Sequence, residues 1–112
     1  MSQSGTVPAS EALRLNDLVV PSPHGIASRV LAKTSGGNVT LFAFDAHEGL
    51  SEHTAPFDAL VMVLEGALTL TIDRQPVIAT PGTIVRMPAH VPHAVTADMP
   101  TRMLLIMLRE PK

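Results

Sequence analysis

Five histidines, His24, His47, His53, His90 and His93, are the side chains of this 112-residue chain best suited to chemistry. Imidazole binds a transition metal through a ring-nitrogen lone pair and exchanges protons near neutral pH. Two spacings matter. His47 and His53 lie six residues apart, and His90 and His93 flank Val91-Pro92. His53 stands in Ser51-Glu52-His53-Thr54-Ala55, ahead of the turn Pro56-Phe57-Asp58, while His93 opens the run His93-Ala94-Val95. If their two strands are neighbours, one imidazole from each converges on a metal or a substrate. The plainer alternative makes them surface or turn histidines, and the residues alone leave both open.

Composition narrows the chemistry further. There is no Cys, which removes disulfides, thiolate zinc sites, iron–sulfur clusters and thiol nucleophiles. Eight Lys and Arg against ten Asp and Glu give a net charge of −2, which is no footprint for phosphate, so no nucleic-acid partner is expected. Trp and Tyr are absent and only Phe42, Phe44 and Phe57 are aromatic, so stacking on bases or sugar rings is a weak option. The first residues lack the pattern of a signal peptide. The longest apolar runs, such as Met103 to Leu108, are far short of the roughly 20 residues of a membrane helix. A cytoplasmic protein with no membrane partner is the expectation.

The elements that must position the histidines are strands. Ten Pro and seven Gly punctuate runs of Val, Leu, Ile and Thr, the pattern of an all-β sandwich or barrel. Strands are predicted at Asn38–Phe44, Ala59–Leu64, Ala67–Ile72, Val77–Thr80, Thr83–Met87, His93–Ala97 and Arg102–Leu108. Ser10–Leu18 is the one stretch that reads as a short helix or turn. Residues 1–8 are expected to fray, leaving 9–112 as a single domain. Glu65-Gly66 reads as a hairpin turn that pairs Val63 with Leu68 and Val61 with Leu70. Leu60–Leu64 and Met103–Leu108 are apolar on both faces, so both faces must be covered. With charged residues at only 16%, against a usual ~25%, a homodimer is the simplest cover.

Two stretches resemble a known family, the cupins. His53 to Gly66 is similar to the first cupin motif, G-x5-H-x-H-x3,4-E-x6-G, and Gly82 to Ala97 to the second, G-x5-P-x-G-x2-H-x3-N. Fifteen residues separate Gly66 from Gly82, a spacer like that of short bacterial members. The resemblance implies an antiparallel jelly-roll β-barrel, in agreement with the strand-and-turn pattern. It also implies a metal site of three His and one Glu, with His53 at the first His position and His93 at the last. Ala55 stands at the second His position and Ala59 at the Glu position, so half of that set is missing. His47 and His90 replace motif glycines, and Ala97 replaces the final Asn. Two imidazoles hold a divalent cation such as Fe, Mn, Ni or Zn poorly. His90 or Asp58 is the candidate third ligand. His90, however, stands where a turn asks for positive φ, which His tolerates, so a structural role is the stronger expectation there. His24, among Pro and Gly, is expected to be exposed in a turn.

Strand alternation then outlines a cavity. Ser51, His53 and Ala55 share a side, as do His93, Val95 and Ala97. With Arg86 outward, Val85 and Met87 point in with Ala59 and Val61. The expected ligand pocket is therefore Ser51, Ala55, Ala59, Val61, Met87 and Val95 around two imidazoles. This outline suits a protein binding a small, mostly apolar molecule. The alternatives are a metal-dependent dioxygenase- or isomerase-type enzyme using His53 and His93, and a ligand-sensing regulatory partner.

Overall fold

β-Branched and aliphatic residues alternate with polar ones between the turn formers, and each such run becomes a strand. The computed structural model describes residues 6–109. The strands are β1 (Ile26–Thr34), β2 (Gly37–Phe44), β3 (Gly49–His53), β4 (Asp58–Glu65), β5 (Leu68–Ile72), β6 (Gln75–Ala79), β7 (Ile84–Met87), β8 (His93–Ala97) and β9 (Thr101–Leu108). They form two antiparallel sheets, ordered β1-β2-β9-β4-β7 and β3-β8-β5-β6. The sheets face each other as a jelly roll and are not joined by hydrogen bonds into a closed barrel.

The core lies between them. Phe44, Ala59, Val61, Val63, Met87 and Met103 of the larger sheet meet Leu68, Leu70, Ala79, Val95 and Ala97 of the smaller. Val61 and Leu70 are fully buried, each worth about 1.5–3 kcal/mol relative to exposure. A second apolar layer covers part of the larger sheet's outer face, where Leu18 and Val19 pack on Ala27, Leu31, Leu41 and Ala43. Val7, within the stretch expected to fray, packs on this layer and donates its N–H to the Leu31 carbonyl at 2.9 Å. Residues 1–5 lie outside the described residues. No helix among those described is long and apolar enough to cross a membrane.

One expectation is narrowed and one is corrected. Of the short helix or turn expected at Ser10–Leu18 the turn is what forms: Leu15–Asp17 is a single 3₁₀ turn, and Ser10 sits at φ 63°. A nine-residue helix is short of the length at which propagation repays the cost of nucleation. Glu65-Gly66 is not a hairpin turn. β4 pairs with β7 and β9, whereas β5 pairs with β6 and β8. Gly66, at φ 82°, is the corner where the chain leaves one sheet for the other. Val61, Val63, Leu68 and Leu70 do share the core, but face to face across the two sheets rather than side by side. The tight hairpins are β1–β2, turned by Ser35 and Gly36, and β5–β6, turned by Asp73 and Arg74 at φ 49° and 67°. Strands β1 and β3 were also unforeseen. β1 carries Ser28, Arg29 and Lys33 and a bulge between Val30 and Ala32, which breaks its alternation.

Candidate functional site

His53 ends β3 and His93 begins β8, and the two are register partners in neighbouring antiparallel strands. Their ring centroids lie 4.4 Å apart with planes at 69°, and their Nε2 atoms approach to 3.1 Å. His93 is buried, while His53 is exposed and forms the solvent side of the pair. Each ring is anchored through its other nitrogen: His53 Nδ1 meets the Ser51 carbonyl at 2.7 Å, and His93 Nδ1 the Val91 carbonyl at 3.1 Å. A carbonyl only accepts, so a hydrogen on Nδ1 satisfies either of these contacts. The two Nε2 atoms meet at hydrogen-bond distance, and which of them carries a hydrogen depends on the tautomers of the two rings. A polar group entering from the cavity can bond to either Nε2 in place of this mutual contact.

The pair opens onto a cavity of about 150 Å³ lined by Leu50, Ala55, Phe57, Ala59, Met87, Val95, Met103, Leu105 and Met107. Ala55, Ala59, Met87 and Val95 were expected there. Ser51 is exposed instead, because β3 shifts register between Leu50 and His53: Leu50 opposes Val95 and His53 opposes His93. The extra residue on β3 brings Leu50 and His53 to one side and breaks the alternation that would have placed Ser51 inside. Val61 is buried in the core but does not line the cavity. Met107 and Leu105 were missed because their strand neighbour was misassigned. Ala59 lies directly between Met87 of β7 and Met107 of β9, so a thioether flanks it on each side.

The two candidate third ligands lie elsewhere. Asp58 precedes inward Ala59 and so points to the outer face. There it accepts from Ala89 N–H at 2.9 Å and from Arg86 Nη1 at 2.9 Å. The Ala89 N–H foremost, then the Arg86 guanidinium, hold its carboxyl below the usual range. His90 is exposed at φ 64° and donates its backbone N–H to the Ala55 carbonyl at 2.8 Å. With Phe57, Asp58 and Arg109 it borders a separate outer cleft. His24 and His47 are likewise exposed at positive φ, 57° and 70°. Asp45 accepts from the backbone N–H of His24 and of Ala46, and these two bonds lower its pKa. Among the described residues no three His, Cys, Asp or Glu come together to hold a metal.

The Cupin domain sequence profile matches residues 40–107, more than half of the chain. The chain belongs to the cupin family. No curated protein matches its sequence. Among solved structures, this cupin is similar to the conserved SPY1581 protein of unknown function from Streptococcus pyogenes, with a TM-score of 0.89, 28% identity, and coverage of 100% of this chain and 98% of that one. It is similar to a cupin superfamily protein, DSY2733, from Desulfitobacterium hafniense, with a TM-score of 0.87, 28% identity, and coverage of 95% and 97%. A Cupin 2 conserved barrel domain protein from Leptotrichia buccalis is 35% identical at a TM-score of 0.82, over 87% of this chain and 47% of that one. Cupins often bind a metal, but here the three-His, one-Glu set is reduced to two imidazoles. The remaining donor set does not fit the family's usual ion, and no reaction step is routed through one.

Proposed function

We propose that this cupin binds a small, mostly apolar molecule carrying one hydrogen-donating group. The observation that supports it is the cavity itself, nine apolar side chains closed at one end by two imidazole rings. Its volume of about 150 Å³ matches that of apolar protein cavities that take up a benzene-sized guest. The guest's apolar body fills the space between the sheets and its O–H or N–H donates to Nε2 of the pair. A dioxygenase- or isomerase-type reaction on Fe, Mn, Ni or Zn would need further ligands that the described residues do not supply. Thermal-shift titration tests the proposal: phenol-sized donors should raise the melting temperature, and benzene-sized guests without a donor should raise it less. Equal shifts for both, or none for either, would count against it.

A homodimer is proposed as well, with a second copy covering the part of the larger sheet's outer face that the N-terminal segment leaves bare. That strip is Leu60, Met62, Ile84, Ile106 and Leu108, of which Ile84 is 56% and Leu108 49% exposed. Arg86–Asp58 and Arg102–Glu65 ion pairs edge it with both signs of charge, which a two-fold copy can match.

A further inference from the structure

The outer cleft bordered by His90 has no part in the reading above, yet it is roomier than the inner cavity, about 500 Å³ against about 150 Å³. That volume lies within the roughly 300–1,000 Å³ of small-molecule sites. Its position follows from the end of a strand ladder. Asp58 of β4 and Leu108 of β9 are register partners, so the next residues outward, Phe57 and Arg109, stand side by side. The Arg109 guanidinium carbon lies 5.3 Å from the centroid of the Phe57 ring, a cation–π stack. Main-chain bonds fix the surrounding walls. Arg109 N–H donates to the Gly36 carbonyl at 2.7 Å, and His90 N–H to the Ala55 carbonyl at 2.8 Å. Ala89 N–H holds the Asp58 carboxylate at 2.9 Å.

The chemistry of this cleft is divided. Pro56, Phe57 and Ala89 give it an apolar floor. Asp58 is committed to Ala89 and Arg86, so its charge is already matched. Arg109 differs: among the described residues no carboxylate pairs with it, and its side chain is exposed. A guanidinium stacked on a ring keeps its N–H edges free, and two of those donors match the two oxygens of a carboxylate. The exposed His90 ring adds an N–H in either tautomer. We propose that the outer cleft binds a small monocarboxylate with a flat apolar body, its acid group on Arg109 and its body on the floor beside Phe57. This guanidinium suits a monoanion better than a dianion, whose second charge it leaves unmatched. The site is distinct from the inner cavity, so it stands whether or not that cavity takes a guest.

Benzoate is the probe, titrated into the full chain by calorimetry and by two-dimensional NMR. It should perturb the amides of His90 and Arg109 more than those of His93 and Val95, which line the inner cavity. Benzamide has the shape without the charge, and acetate the charge without the body; each should bind at least about 10-fold more weakly than benzoate. Arg109→Gln removes the charged hydrogen-bond partner and should lose at least about 10-fold in benzoate affinity. Its melting temperature and its response to phenol should match wild type, because Arg109 is exposed and lies outside the inner cavity. Arg109→Lys keeps the charge but not the planar fork, and should restore only part of the loss. No benzoate binding at millimolar concentration, equal binding of benzamide, an unchanged affinity in Arg109→Gln, or shifts centred on His93 and Val95 would overturn the proposal. Inorganic phosphate bound as tightly as benzoate would overturn the choice of a carboxylate.

Discussion

Gly66 and Gly82 both sit at positive φ, 82° and 87°, but their surroundings differ. A Cβ on Gly66 would collide with the Pro100 carbonyl oxygen and the Thr101 hydroxyl, whereas a Cβ on Gly82 meets nothing within 4 Å. Each Gly→Ala change therefore carries the left-handed penalty of about 1–2 kcal/mol, offset by about 0.4–1 kcal/mol from the less flexible unfolded chain. That leaves roughly 0–1.6 kcal/mol for Gly82→Ala. At Gly66 the overlap is with backbone, and forcing it apart adds about 1–3 kcal/mol, as in an overpacked core. An unfolding entropy near 2.1 cal/mol/K per residue makes each kcal/mol worth about 4 °C in a chain of this length. Gly82→Ala should then melt at most about 6 °C below wild type, and Gly66→Ala about 4–13 °C below Gly82→Ala. Differential scanning calorimetry of the two variants side by side reads the difference directly. Equal melting temperatures would refute the close corner, since positive φ alone would then account for both.

Further outcomes follow from other parts of the molecule. Ala59→Glu places a carboxylate opposite the histidine pair, so divalent metal at 100 times its dissociation constant should stabilise the variant by about 2.7 kcal/mol, or some 11 °C, and wild type by far less. No metal-dependent shift in this variant would show that Ala59 does not face the pair. Asp58→Ala should lower the melting temperature at pH 7. Because the folded carboxyl titrates below its ordinary value of 3.8, its contribution is present above that pH and is lost as pH falls through the lower folded value, so the deficit should vanish in strong acid. A deficit unchanged at pH 2 would mean that packing, not charge, is at work. Sedimentation at micromolar concentration should give a dimer, and Met62→Asp with Ile106→Asp a folded monomer; a wild-type monomer would remove the proposed interface. In calorimetry His53→Ala should melt only slightly below wild type, by about 1 kcal/mol or some 4 °C, because the ring itself is exposed but its loss leaves Nε2 of buried His93 without its partner; global unfolding would make the ring a core strut instead.

How far the sequence carried the fold depended on local regularity. β8 appears at its predicted bounds because His93, Val95 and Ala97 alternate with more exposed residues. β3 is five residues with mostly exposed side chains and a register shift, so nothing in Gly49–His53 marks it as a strand. The histidine pair was legible because each imidazole stands at a position that two spaced motifs single out. The opposite wall was not. Seeing that Met87 and Met107 flank Ala59 requires knowing that β4 lies between β7 and β9, and a Glu-Gly turn between apolar runs argues locally for a hairpin instead. Which sheet a strand joins is decided by contacts distant in sequence, and no local pattern encodes them.

The strand order has a consequence for how the chain is made. β8 lies between β3 and β5, and β9 between β2 and β4, so each sheet receives a central strand from the last stretch before Arg109. While that stretch is still being synthesised, β2 and β4 on one side and β3 and β5 on the other expose unpaired backbone edges. Such edges recruit other chains. A nascent chain cannot bank early parts of this fold domain by domain: both sheets wait for residues 93–108, and completion is close to simultaneous. Slow codons or a stalled ribosome upstream of His93 would hold the molecule in its most adhesive form, and a truncation there would yield aggregate rather than a smaller folded piece.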